Sequence, residues 1–208
     1  MTTLLLIRHA TNPAIKGGRL VGRSPGVHLD EEGRAQASAL AERLADVELA
    51  AVYTSPLERA QETAQPLAAR HGLEARPHPG LLETDCGRWQ GELLSKLRRR
   101  PLWRELWSCP SRVTFPGGEN AWQMAARMTA ALEEIHLAHP TETVAVVSHA
   151  DPLRAVIACY LGGPFDLYQR LTISPASLTV LVLDKPLPRL VCLNDTCHLP
   201  GARNKQGG

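Results

Sequence analysis

Apolar and polar positions along the chain change period several times, and each change marks an element. Thr3 to Ile7 carries a four-residue apolar run, Leu4 to Ile7, closed by Arg8-His9, which reads as a buried strand. From Asp30 the period becomes helical: Ala37, Leu40, Ala41 and Leu44 share one face, Asp30 is placed to cap, and the helix is expected to run to about Ala45. Ala50 to Thr54 reads as a second short strand. Ser55-Pro56 is expected to open the next helix, with Pro56 at its first position and His71-Gly72 at its end. Glu74 to His78 suggests a third strand, Glu119 to Ala138 a long helix, and Thr143 to Ser148 the clearest inner strand. A helix from Asp151 to Leu161 follows. Two closing strands, Ser177 to Leu183 and Arg189 to Asn194, flank the turn Asp184 to Pro188.

Strands alternating with helices predict an α/β protein, a three-layer α/β/α sandwich with a mostly parallel central sheet. The last two strands, joined tightly, predict an antiparallel edge. Between Gly87 and Gly118 both periods fail. Three tryptophans, the run Arg98 to Arg100 and several prolines there suggest that 88–122 is a cap insertion over the sheet. Residues 1–200 are thus expected to form one domain, and 201–208 a flexible tail.

Composition narrows the function classes. The 208 residues carry a formal net charge of +2, which gives no sign of a nucleic-acid or membrane binder. No apolar run approaches the ~20 residues that a membrane span requires. The N-terminal apolar stretch lacks the basic start and small-residue cleavage site of a signal peptide, so a cytoplasmic protein is expected. Five scattered cysteines suit free thiols in a reducing compartment, with Cys192 and Cys197 the one spacing that raises a disulfide. His28, His71, His78, His136, His139 and His198 lie in no motif, and no set of them has metal-ligand spacing. Oligomeric state stays open, a homodimer included.

Candidate chemistry gathers at strand ends. Arg8-His9 follows the first strand, Arg59 lies one turn into the helix after the second, and Ser148-His149 follows the inner strand. In open α/β sheets the ligand crevice lies beyond the carboxyl ends of the strands. Two guanidiniums and two imidazoles converging there suit a dianion, and a phosphate monoester offers more oxygens to forked donors than a carboxylate does. Glu83 could protonate a leaving oxygen if its pKa were raised, with Asp85 as its rival by type.

Taken in order, Arg8-His9, Ser55-Pro-Leu-Glu-Arg59-Ala-Gln-Glu-Thr-Ala64, Leu82-Glu83 before Gly87-Arg-Trp-Gln-Gly91, and Ser148-His149 resemble the histidine phosphatase (phosphoglycerate-mutase-like) superfamily, from about residue 3 to 160. The resemblance implies a metal-independent phosphatase without a cofactor, acting on a phosphorylated small molecule. His9 would be the nucleophile that becomes phosphorylated. Arg8 and Arg59 would hold the phosphoryl oxygens, His149 would hydrogen-bond the transferring group, and Glu83 would donate the proton. The family's first motif usually continues with glycine, where this chain has Ala10-Thr11-Asn12; a methyl leaves the turn intact. The Asn that often follows seven residues after the Arg is Ile15 here, and Asn12 is the candidate phosphate donor in its place. Arg19 and Gly22 match an Arg-x-x-Gly loop, and the stretch from there to Leu29 is longer than usual. The alternative reading is a cofactor-dependent phosphoglycerate mutase, and from another class a non-catalytic phosphate-binding module. The run Cys86-Gly-Arg-Trp-Gln-Gly91 favours the phosphatase branch. Arg98 to Arg100 is read as a solvated run that could instead grip an anionic substrate tail. Trp89, Trp103, Trp107 and Trp122 are read as core or cap packing.

Overall fold

A computed structural model describes residues 1–184 and 186–200; the expected tail at 201–208 lies outside the described residues. Among the described residues six strands form one sheet, in the order β3-β2-β4-β1-β5-β6. They are β1 (Thr2–Arg8), β2 (Ala51–Thr54), β3 (Ala75–Pro77), β4 (Thr143–Ser148), β5 (Leu178–Leu183) and β6 (Arg189–Asp195). β1, β2, β3 and β4 run parallel, whereas β5 and β6 add an antiparallel edge, as the tight final connection predicts. The fold is α/β.

The unbroken apolar run of β1 is explained by what covers it. Leu4 and Leu6 pack with Val144 and Val146 against α6 (Ala121–Ala138) and α7 (Ala150–Tyr160). Leu5 and Ile7, pointing the other way, pack with Ala145 and Val147 against α2 (Glu31–Arg43) and α3 (Glu58–Arg70). Successive side chains alternate faces, and a strand buried on both faces cannot alternate in polarity. Asp30 caps α2 through Gly33 N, and Asn120 and Gln123 close a reciprocal capping box on α6.

The start of α3 corrects the sequence reading. Pro56 does not occupy the first helical turn: Leu57 holds the N-cap position with extended backbone, and the helix begins at Glu58. The reason lies one residue past β2. Ser55 N donates to Val147 O at 2.9 Å, prolonging the ladder with β4, and Ser55 Oγ meets His149 Nε2 at 2.8 Å while accepting from Leu57 N at 3.4 Å. The chain must leave the sheet before it can coil.

The segment after residue 86 forms α4 (Leu94–Leu97) and α5 (Pro101–Ser108), separated by short turns. Cys86, Trp89, Leu97, Leu106, Val113 and Phe115 bury one another in a small apolar cluster of their own. Trp89 meets Phe115 edge-on at 5.6 Å. Trp103 is partly buried against this cluster, whereas Trp107 and Trp122 are more than half exposed, the latter stacked on Phe165. The neck of the segment is tight: a Cβ on Gly118 would stand 2.2 Å from Asp85 O, and one on Gly87 2.4 Å from Pro116 O. Among the described residues no disulfide forms, and none joins Cys192 to Cys197.

Candidate active site

Strand register brings the two histidines together. Arg8 pairs with Ser148 across β1 and β4, and His9 N donates to Ser148 O at 2.9 Å. His9 and His149 therefore leave neighbouring strand ends side by side, their rings edge to face with centroids 5.1 Å apart. Arg8, His9, Asn12, Arg59 and Glu83 line a single cavity of about 270 Å³ beyond the carboxyl ends of β1, β2 and β4. This is the crevice that a parallel sheet of this kind provides.

His9 is buried, and its Nδ1 lies 2.7 Å from Ala10 O. A carbonyl can only accept, so Nδ1 carries the proton and Nε2 keeps its lone pair. Burial, followed by the charges of Arg59 and Arg8, lowers the His9 pKa well below the usual imidazole value. The ring is therefore neutral near pH 7, as a nucleophile must be. The loop behind it is fixed by side chains: Thr63 Oγ1 accepts from Ala10 N at 3.0 Å, and Gln36 Oε1 accepts from Thr11 N at 2.9 Å. Ala10 is fully buried against Leu29, Ala37 and Ala176, so its methyl fills space where glycine would leave a gap.

His149 stands at the N-cap position of α7, where backbone amides and the helix dipole favour an anion. Its Nε2 lies 2.8 Å from Ser55 Oγ. Ser55 donating there leaves Nδ1 protonated, and Nδ1 is 3.9 Å from Glu83 Oε2. Burial, then the proximity of His9 and Arg59, lowers the His149 pKa well below normal.

The two guanidiniums are each half anchored. Arg8 Nη1 donates to Ile173 O at 2.6 Å, and Arg59 Nη2 to Gly22 O at 2.8 Å, which gives the Arg-x-x-Gly loop its structural purpose. Arg8 Nε, Arg59 Nη1 and His149 Nδ1 are buried and lack a hydrogen-bond partner among the described residues. A buried donor left unpaired costs about 1–3 kcal/mol. Two of them belong to residues that line the cavity and the third to His149 beside His9, and together they suit the oxygens of a phosphoryl group.

Glu83 is partly buried, and its Oε1 accepts from Thr84 N at 2.8 Å. Burial and then the charge of Asp151 push its pKa up to about 6, against the pull of Arg59 and Arg8. Asp85, its rival, faces Arg23 at 3.7 Å and does not line the cavity. Asn12 Oδ1 accepts from Ala14 N and Ile15 N, capping the short helix α1 (Pro13–Lys16) while the residue faces the cavity.

Sequence reasoning missed Ser55, Asp151 and Arg154. Asp151 and Arg154 line the cavity and pair with each other at 3.0 Å, and their signal was position alone, two and five residues after His149. Leu20, Val21 and Leu94 form an apolar wall. It exists because Leu20 N donates to Glu92 O and Gly91 N to Leu20 O, tying the long 19–29 loop to the cap segment. Arg98 and Arg99 are exposed outside the cavity, and Arg100, over the Trp89 ring, donates through Nη2 to both carboxylate oxygens of Glu92 at 2.7 and 2.9 Å.

Two guanidiniums beside a neutral, buried histidine, at the carboxyl ends of a sheet of this topology, suit a phosphate monoester. The chain belongs to the histidine phosphatase superfamily (branch 1), whose model matches residues 4–196. It is a phosphoric monoester hydrolase of the histidine phosphatase type. It is 33% identical over 207 residues to phosphoserine phosphatase 1 of Hydrogenobacter thermophilus, covering 96% of this chain and 95% of the relative. YhfR of Bacillus stearothermophilus superposes with a TM-score of 0.90 at 28% identity, over 96% of this chain and 100% of the other. A mycobacterial glucosyl-3-phosphoglycerate phosphatase solved with VO3 superposes with a TM-score of 0.85 at 30% identity, over 93% and 99% of the two chains. Among the described residues no helix is long and apolar enough to cross a membrane.

Proposed function

We propose that this protein hydrolyses a small phosphate monoester through a phosphohistidine on His9, without a metal ion. Three unpaired buried donors of Arg8, Arg59 and His149 around the neutral His9 carry this reading. The lone pair of His9 Nε2 attacks phosphorus, and the bond from phosphorus to the ester oxygen breaks. The departing oxygen takes the proton of Glu83, which its raised pKa keeps available. The resulting carboxylate then takes a proton from water, whose oxygen attacks phosphorus and breaks the P–N bond. Inorganic phosphate leaves and His9 is restored. Charge on the equatorial oxygens is met by the guanidiniums and His149, the task that metal ions perform elsewhere.

The small cavity suits a small substrate, and the Asp151–Arg154 pair in its lining suits one carrying further charged groups. Phosphoserine, named for the Hydrogenobacter relative, is of this kind. Hydrolysis of p-nitrophenyl phosphate with and without EDTA, in the native protein and His9→Ala, tests the mechanism. Turnover should resist EDTA and vanish in the variant; an alanine variant with full activity, or loss in EDTA, contradicts it.

A further inference from the structure

Glu83 lies in irregular chain between the short turns 79–81 and 87–89, so no helix or sheet ladder fixes its backbone. It is held nonetheless. Its carbonyl oxygen accepts from Arg23 Nε at 2.8 Å and from Arg127 Nη2 at 2.9 Å. Arg127, on α6, also donates through Nη1 to Gly80 O at 2.9 Å and Leu82 O at 2.6 Å. Its remaining donors reach Glu119, with Nε 3.0 Å from Oε2 and Nη2 2.7 Å from Oε1. All five N–H groups of this guanidinium are therefore used, and only arginine has that number in a rigid fork.

Glu119 joins the two cations. Its Oε2 lies 3.1 Å from Arg23 Nη2, and its Oε1 accepts from Asp85 N at 2.9 Å. Two guanidiniums and one carboxylate, from the loop at Arg23 and from the start of α6, thus hold the backbone from Gly80 to Asp85. Neither Arg23 nor Arg127 lines the catalytic cavity.

We propose that Arg127, with Arg23 and Glu119, is a positioning brace that aims the Glu83 carboxyl at the leaving oxygen. The proposal rests on the reading of Glu83 as proton donor, and its chemistry makes the two separable. The ratio kcat/KM covers the steps up to departure of the leaving group. p-Nitrophenolate departs without a proton, whereas a simple alkoxide requires one. A misaimed Glu83 therefore penalises alkyl esters and spares p-nitrophenyl phosphate.

The experiment measures kcat/KM for monoesters ranging from p-nitrophenyl to alkyl phosphates, in the native protein and in Glu83→Gln, Arg127→Gln, Arg127→Lys and Arg23→Gln. Glu83→Gln should lose about 10²-fold or more on alkyl esters, the scale of general acid catalysis, and far less on p-nitrophenyl phosphate. Both Arg127 variants should show the same dependence on leaving group, lysine failing because it lacks the fork. Arg23→Gln should show a weaker form of it. Should the Arg127 variants fail to fold, Arg23→Gln, at a more exposed position, decides. An equal loss on all esters in the arginine variants, while Glu83→Gln shows the dependence, overturns the brace and leaves the proton donor standing. Equal loss across the series in Glu83→Gln overturns both.

Discussion

The floor of the catalytic cavity and its outer wall are built by different physics. The floor comes from β1, β2 and β4, where strand register sets Arg8 opposite Ser148 and leaves His9 beside His149. Leu4 to Ile7 and Val144 to Val147 are buried on both faces, so the ends they carry inherit the rigidity of the core. The wall comes from the 19–29 loop and the segment after Cys86, held by a few backbone hydrogen bonds and one small apolar cluster. Chemistry placed on a packed sheet can be exact in geometry, and selectivity placed on irregular chain can be changed without disturbing it. The difference predicts that substitutions in the floor remove turnover, whereas substitutions in the wall alter which ester is accepted.

The largest effect should come from the floor. Arg59→Met removes one clamp donor and leaves Gly22 O unpaired, so kcat on p-nitrophenyl phosphate should fall roughly 10²–10³-fold with the fold intact by circular dichroism. A variant within a few-fold of native would mean that Arg59 serves only the loop. Glu83 supplies the next test, through pH. Protonated below about 6, it can donate; above that it is a carboxylate and cannot. For an alkyl ester kcat/KM should therefore decline as pH rises through that value. The decline should be absent with p-nitrophenyl phosphate and absent in Glu83→Gln.

In the wall, Leu97→Ala empties a fully buried position of the cap cluster and should cost about 2–5 kcal/mol of local stability. Hydrogen exchange should quicken across 89–115 and stay slow in β1 and β4, with KM for larger esters changing more than kcat. Equal loosening of both regions would show that cap and sheet unfold as one unit. The smallest effect belongs to the exposed Arg98 and Arg99. Replacing both with Gln should leave stability within ~0.5 kcal/mol and kinetic constants nearly unchanged. A marked rise in KM would show that this run reaches the substrate after all.

The same contrast decides what could be read from the chain. β1 and β4 announce themselves as short apolar runs ending in Arg-His and Ser-His, because burial on both faces leaves no other pattern. Arg59 is legible for a similar reason, lying in the first turn of a helix that follows a strand. The start of that helix was not, since Pro56 is a good first helical residue in isolation. What displaced the start was the contact of Ser55 with β4 and His149, which no local signal carries. The brace on Glu83 was equally hidden. Arg23, Glu119 and Arg127 are spread over more than a hundred residues of chain and meet only in the folded protein. Asp151 and Arg154 were visible only as helix residues, because their meaning depends on where α7 begins.

Trapping the intermediate tests the central claim most directly. Native protein mixed with p-nitrophenyl phosphate and quenched in alkali, where a phosphohistidine survives, should yield a peptide phosphorylated on His9, formed as fast as turnover requires and lost when substrate is exhausted. Turnover with no phosphoryl group on His9, or with the group on another residue, would contradict the account.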